Sequence, residues 1–251
     1  MLSKDNLTGD TDNLSPEEIR RFDALAEEWR KPDGAFKTVL AFNQVRLQHI
    51  LAEIRRHFGR RSLSILDVGC GAGLLTEPLA GAGHQVLGID ASAVNIRVAR
   101  KNGWELSANL SYRHCLTEVL CREQARFDLV LNTEVVEHVP NPVQLLQECA
   151  ELVKPGGMMV VATLNRTWQS YLIGIIGAEY LLKALPKGTH SWRAFVTPAE
   201  IGAALAPLGF HCASPQGMAY NPLSGHWRLC RGSKVNYLVS AIKDDSSQSD
   251  A

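Results

Sequence analysis

The chain has 251 residues, of which 45% are hydrophobic and 21% charged, which suits one large globular domain. Its 26 Lys and Arg balance its 26 Asp and Glu, so no excess of positive charge draws it toward nucleic acid. The six cysteines (Cys70, Cys115, Cys121, Cys149, Cys212 and Cys230) form no C-x-x-C pair. That pattern speaks against a zinc knuckle or a thioredoxin-like motif and fits reduced thiols. The N-terminus has no apolar signal core and is acidic (Asp5, Asp10, Asp12, Glu17, Glu18), unlike a transit peptide. No apolar run is long enough to span a bilayer.

In chain order, residues 1–14 are polar and are expected to be disordered. Ser15-Pro16-Glu17-Glu18 reads as a helix start, with Ser15 as cap, Pro16 in the first turn and Glu18 able to complete a capping box. Ile19, Phe22, Leu25, Ala26 and Trp29 recur at helical spacing until Lys31-Pro32-Asp33-Gly34 breaks the pattern. A second helix is expected over about Phe42–Phe58. Short apolar strands then follow at Leu63–Val68, Gln85–Ile89, Leu110–His114, Phe127–Asn132 and Met158–Thr163. Helical stretches separate several of them, near Leu74–Ala80, Ala93–Asn102 and Val143–Val153. This alternation predicts an α/β fold, a mostly parallel sheet with helices on both faces. Beyond residue 165 come an apolar insertion at about 166–195, a helix at Pro198–Leu208 and two late strands, Phe210–Tyr220 and Val235–Ile242. The expected organisation is one domain over 15–244 with a disordered tail at 245–251.

The strongest local signal is Leu66-Asp67-Val68-Gly69-Cys70-Gly71-Ala72-Gly73, which follows a strand and opens a helix. Glycines there let the backbone turn tightly and approach a ligand. Asp90 ends the next strand, placed to accept hydrogen bonds from ribose hydroxyls. The spacing is G-x-G-x-G, with Leu74 where a dinucleotide-binding helix would want glycine. It resembles motif I of class I methyltransferases, whose loop cradles the amino-acid part of S-adenosylmethionine. An ordinary strand–turn–helix and a dinucleotide site are the alternatives.

After the fourth strand comes Thr133-Glu134-Val135-Val136-Glu137-His138. If a helix starts there, Glu134, Glu137 and His138 share one face and can bind a divalent metal. Magnesium prefers oxygen, which makes a histidine ligand unusual. The alternatives are glutamates that complement a helix dipole, His138 as general base with Glu134 beside it, or a histidine that only holds the loop. The insertion, with Trp168, Tyr171, Tyr180 and several leucines and isoleucines flanked by Arg166, Lys183 and Lys187, suits an interfacial helix or a buried lid.

From about Arg21 to Lys243 the chain resembles the O-methyltransferases of ubiquinone biosynthesis. The resemblance rests on LDVGCGAG at Leu66–Gly73, EVVEHVPNP at Glu134–Pro142, LVKPGG at Leu152–Gly157 and TLNR at Thr163–Arg166. It extends to GAEYLL at Gly177–Leu182, PKGTH at Pro186–His190, YNP at Tyr220–Pro222 and VNYL at Val235–Leu238. Gln44, Ala72, Ala219 and Arg30 depart from the family pattern. The resemblance implies a Rossmann-like, seven-stranded class I fold and methyl transfer from S-adenosylmethionine to a ring hydroxyl of a polyprenyl catechol or quinol. It implies cofactor contacts at Arg46, Asp67, Gly69, Gly71, Gly73, Asp90 and Thr133, and assigns magnesium (Mg2+) to Glu134, Glu137 and His138. His190 and Tyr220 become candidate pocket residues. A prenylated substrate implies a bacterial cytoplasmic protein, peripheral on the inner membrane, within reach of a ubiquinone-biosynthesis complex. The other readings are a methyltransferase for another small phenol and a non-catalytic, cofactor-binding protein of the lipid surface.

Overall fold

The computed structural model describes residues 13–27, 37–106, 108–170, 195–221 and 224–245. Two helices precede the sheet, α1 (Pro16–Leu25) and α2 (Lys37–Phe58). The alternating part runs β1 (Ser64–Val68), α3 (Thr76–Gly81), β2 (Gln85–Asp90), α4 (Ala93–Asn102), β3 (Leu110–His114) and α5 (Thr117–Arg122). It continues through β4 (Phe127–Thr133), α6 (Pro142–Glu151) and β5 (Val153–Leu164). A helical turn, α7 (Trp168–Ser170), is followed after the undescribed 171–194 by α8 (Pro198–Leu205), β6 (Phe210–Cys212), β7 (Gln216–Asn221), β8 (His226–Arg231) and β9 (Asn236–Lys243).

The nine strands of the described residues join one sheet in the order β3-β2-β1-β4-β5-β9-β7-β8, with β6 also paired to β9. The first five are parallel, and the last four pair antiparallel. The sheet is therefore mixed and nine-stranded, where seven mostly parallel strands were expected. The expected strand Phe210–Tyr220 is two strands, β6 and β7, which pair with successive stretches of β9. The break lies at Ser214-Pro215, where proline has no N–H to give to the ladder. The other addition is β8, a mostly exposed hairpin partner of β7. Its alternation of large and charged residues gives no continuous apolar run.

Period-two alternation sorts the strand residues into two cores. On one face Leu66, Val68, Val130, Met159 and Val161 pack with Leu145, Leu146 and Cys149 of α6 and Ile201 and Leu205 of α8. On the other, Ile65, Leu129, Leu131, Met158 and Val160 pack with Ile50 and Ile54 of α2, Leu79 of α3 and Ile96 of α4. Burial of both faces explains the continuous apolar strands. It also leaves the carboxyl ends of β1, β2 and β4 side by side, where an open α/β sheet binds its ligand.

Two local expectations need correction. Ser15 Oγ accepts the Glu18 N–H at 3.4 Å, but the Glu18 carboxylate is turned to Arg21 and His138, so the structure gives α1 the cap without the reciprocal half of the box. Asn13, placed in the stretch expected to be disordered, exchanges two hydrogen bonds with Asn141 of 3.0 and 2.6 Å. Residues 1–12 and 246–251 lie outside the described residues, as do Trp29, Arg30 and most of the apolar insertion.

Candidate active site

The loop Gly69–Gly73 leaves the end of β1 in a conformation that side chains rarely adopt. Gly69 has φ +67°, and a methyl group there would sit 2.3 Å from Val135 Cγ2. Gly71 has φ +54° and nothing within 4 Å of where a side chain would start, so its backbone is open to a ligand. The Gly71 N–H donates to Asp90 Oδ2 at 2.9 Å, and the Ser92 N–H donates to Asp90 Oδ1 at 2.7 Å. Asp90 therefore fixes both the loop and the start of α4. Each of its oxygens keeps a second lone pair for an incoming hydroxyl.

The loop forms the floor of a cavity of about 910 Å³. Asp67 lies beneath it at 1% exposure. Burial pushes its carboxyl up to about 7, assisted by the charge of Asp90 and opposed by Thr76 and Arg46. Burial likewise raises the Asp90 carboxyl, against the pull of the Ser92 and Gly71 N–H groups. Arg46 on α2 is also buried, with its guanidinium 4.5 Å from the Phe42 ring centre. Its Nη1 donates to Asn43 Oδ1 at 2.8 Å, and its Nη2 is paired with Glu134. Arg46 Nε and Asp67 Oδ1 are buried without a protein partner. A donor and an acceptor beside an open glycine backbone fit the amino-acid end of S-adenosylmethionine, since a buried polar group without a partner is costly. Thr133, buried at the end of β4, lines the same cavity. Gly73 closes the loop rather than facing the cavity, its N–H donating to Cys70 O at 3.0 Å.

The segment after β4 is not the helix start that the spacing suggests. Glu134 has φ +58°, and its N–H donates to Ala162 O at 2.8 Å. Only Val136–His138 forms a single 3-10 turn. The left-handed residue breaks the common face that a helix would give. Glu134 turns to Arg46. His138 Nδ1 lies 2.8 Å from Glu18 Oε2. Glu137 points inward with both carboxylate oxygens buried, and burial pushes its carboxyl up against weaker pulls from backbone, Glu134, Thr163 and Arg46. Among the described residues no group of His, Cys, Asp and Glu gathers as a metal set. The three side chains named for magnesium thus do not stand as a gathered set among the described residues.

Helix α1 roofs the cavity. Ser15, Glu18, Ile19 and Phe22 line it, and Phe22 meets the His138 ring edge-on at 5.1 Å. Asp23 is hydrogen-bonded by the hydroxyl of Ser92, the cap of α4. At the far end Trp227 of β8 lies between Phe42, edge-on at 4.9 Å, and Tyr220, tilted at 5.3 Å between ring centres. Tyr220 lines the cavity as expected, while His190 lies outside the described residues. Sequence reasoning missed Glu18, Phe22 and Trp227 as site residues. Phe22 was visible only as part of an apolar helical face, and Trp227 lies on the strand that was not foreseen.

The strand order β3-β2-β1-β4-β5, the glycine loop after β1 and the acid ending β2 define a class I S-adenosylmethionine-dependent methyltransferase. Residues 66–161 match the family described as "Methyltransferase domain". The fold resembles the crystal structure of magnesium protoporphyrin IX methyltransferase from Synechocystis PCC 6803 with bound SAH. The TM-score is 0.64 at 19% identity, over 89% of this chain and 94% of that one. A Thermotoga maritima S-adenosylmethionine-dependent methyltransferase, a possible histamine N-methyltransferase, gives a TM-score of 0.64 at 16% identity over 90% and 100% of the two chains. The sequence is 46% identical to the ubiquinone biosynthesis O-methyltransferase of Chelativorans sp. over 90% of this chain and 92% of that protein. It is 43% identical to the Dinoroseobacter shibae protein of the same name over 94% and 99%. The chain belongs to the ubiquinone biosynthesis O-methyltransferase family.

Proposed function

We propose that the protein methylates a ring hydroxyl of a polyprenyl catechol or demethylubiquinol, with S-adenosylmethionine as donor. The observation that carries this reading is the continuity of one cavity from the glycine-loop floor to the aromatic wall of Phe42, Tyr220 and Trp227. One end suits a charged cofactor and the other an apolar ring and its tail. The relatives that share 46% and 43% of the sequence carry the activity in their names.

In this reading the backbone of Gly69 and Gly71 receives the amino-acid end of the cofactor, with Arg46 Nε and Asp67 at its polar groups. Asp90 takes the ribose hydroxyls, and Thr133 borders the transfer site. The bound cofactor supplies a methyl group made electrophilic by its sulfonium. The protein's own task is to hold the ring oxygen in line and to remove its proton. A phenol ionises near a pKa of about 10, so a base accelerates the step at neutral pH. His138, lining the cavity under α1, is that base. Glu134 holds Arg46 in place.

Among the described residues no helix is long and apolar enough to cross a membrane. Substrate access from the cytoplasmic face of the inner membrane is supported by Trp168, 67% exposed where the apolar segment 168–187 begins. At that surface the protein would work alongside the other enzymes of its pathway.

The test compares a short-chain prenyl catechol with catechol itself, each with S-adenosylmethionine, in the presence and absence of anionic vesicles. Preference for the prenylated ring, increased by vesicles, is the expected result. Turnover of catechol alone would assign another small phenol. Vesicle and cofactor binding without turnover of either would assign a non-catalytic protein of the lipid surface.

A further inference from the structure

We infer that Asn236, the first residue of β9, determines which rings the cavity accepts, its side-chain amide donating to a ring oxygen other than the one that is methylated. The inference deepens the methyltransferase reading above and rests on it. β7 and β9 pair through Gln216↔Leu238 and Gly217↔Tyr237, and there their ladder ends. The N–H of Met218, the next residue of β7, donates to Asn236 Oδ1 at 3.0 Å, so the side chain continues the ladder where the backbone leaves it. That bond settles the amide. Its oxygen faces Met218, and Nδ2 keeps two hydrogens to give. Among the described residues Nδ2 has no partner. Asn236 is 6% exposed and lines the cavity, so its amide is withdrawn from bulk water and open to whatever fills the cavity. A buried donor without an acceptor is costly, and a ligand that brings the acceptor recovers that cost.

The place of Asn236 in the sheet tells which oxygen it meets. Alternation along β9 puts it on the same face as Leu238, whose core holds Met218 and has Phe42 and Trp227 packed against it. The amide therefore stands with the aromatic wall, not with the glycine loop. In the sheet order β9 lies two strands beyond β4, about 10 Å at ordinary strand spacing, and Thr133 at the end of β4 borders the transfer site. Asn236 thus approaches the ring from the side away from the cofactor and reaches the oxygen next to the reacting one. The division of labour is clear. Phe42, Tyr220 and Trp227 offer contact to any aromatic ring, whereas an NH2 group distinguishes a ring with a second oxygen from a ring with one. An analogue lacking that oxygen leaves the amide unpaired, which is how a polar group in a binding site rejects it. The selected class is a ring with two neighbouring oxygens.

The test is calorimetric binding of a short-chain prenyl catechol and of the matching prenyl phenol to the full-length wild type, Asn236→Ala and Asn236→Asp, each saturated with S-adenosylhomocysteine. Steady-state methyl transfer to the catechol follows. Wild type is expected to bind the catechol about tenfold more tightly than the phenol, the scale of one hydrogen bond. Asn236→Ala should bring the two rings within about twofold of each other, by weakening the catechol. KM for the catechol should rise by a similar factor while kcat falls less, because the contact is made in ground state and transition state alike. S-adenosylhomocysteine affinity should stay within about twofold. A merely structural Asn236 would weaken both rings together and leave their ratio, and that result overturns the inference. Equal binding of the two rings by wild type overturns it as well. Should Asn236→Ala fail to fold, Asn236→Asp keeps an acceptor for the Met218 N–H but has no NH2, and the same loss of preference is expected. A preserved preference in that variant would overturn the inference. If the rings bind as described and neither is methylated, the reaction reading fails while the recognition by Asn236 stands.

Discussion

The floor and the roof of the cavity are built on different principles. The floor is backbone: Gly69 and Gly71 in left-handed turns, the Gly71 N–H tied to the Asp90 carboxylate, laid on a sheet buried on both faces. The roof is a ten-residue helix with no fully buried residue, held by polar contacts from Asn13 to Asn141, Glu18 to His138 and Asp23 to Ser92. A floor of that kind is fixed before ligand arrives and tolerates almost no change. A roof of that kind is held by a few exposed or half-buried hydrogen bonds, each worth about 0.5–1.5 kcal/mol, and by the packing of Phe22 on His138. The difference separates the two duties of the site. Cofactor binding belongs to the floor, and covering the cavity belongs to the helix.

Substitution in the floor should give the largest effects. Gly69→Ala places a methyl group against Val135 in an unfavourable backbone conformation. Cofactor affinity measured by calorimetry should fall at least about 100-fold, since each 1.4 kcal/mol is a factor of ten. Adding Val135→Ala should restore only part of it, because the φ strain stays. Asp90→Ala removes an acceptor from the ribose and from two backbone N–H groups. With about 1.5–3 kcal/mol for a hydrogen bond to a charged group, Kd should rise roughly 10- to 150-fold. Wild-type affinity in that variant would show that the ribose lies elsewhere.

A smaller effect concerns the pH dependence of folding. Asp67 keeps its proton up to about pH 7 when folded, against an ordinary carboxyl value of 3.8. Between those values the folded chain holds a proton that the unfolded chain has released, so stability falls as pH rises through the window and stays low above it. In urea denaturation of the ligand-free protein at pH 5 and pH 8, Asp67→Asn should remove this part of the decline and should be relatively most favourable at pH 8. An unchanged decline would mean that the carboxyl is ionised when buried. The roof variants should have the smallest effects. Ser92→Ala loses the cap of α4 and the contact to Asp23, about 1 kcal/mol, and Asn13→Ala loses a few tenths of that scale. Both should leave cofactor Kd within a few-fold, and a loss as large as that of Gly69→Ala would erase the distinction between the two regions.

The same distinction governs what could be read from the sequence. The floor is local: strand, glycines and helix lie in one stretch, with the acid at the end of the next strand, and the structure brings Asp67, Gly69, Gly71, Asp90, Arg46 and Thr133 around one cavity. The roof depends on contacts that local patterns do not carry. Glu18 looked like half of a capping box because nothing near it in sequence announces His138. Glu134 looked like the first residue of a helix, and its left-handed backbone accompanies the hydrogen bond to Ala162 on the neighbouring strand. At the antiparallel edge, β8 was hidden by its exposure, and the break between β6 and β7 turned on a single proline whose effect is decided by the register with β9.

The central claim is tested most directly by following the methyl group itself. Wild type is incubated with S-adenosylmethionine carrying a trideuterated methyl and with a short-chain prenyl catechol, in magnesium and in excess EDTA, and the products are resolved by mass spectrometry. One trideuteromethyl group on a ring oxygen, formed within twofold in either condition and absent with Gly69→Ala, is the predicted result. No labelled product, or product only when magnesium is present, would contradict the account, the first at the substrate and the second at the base.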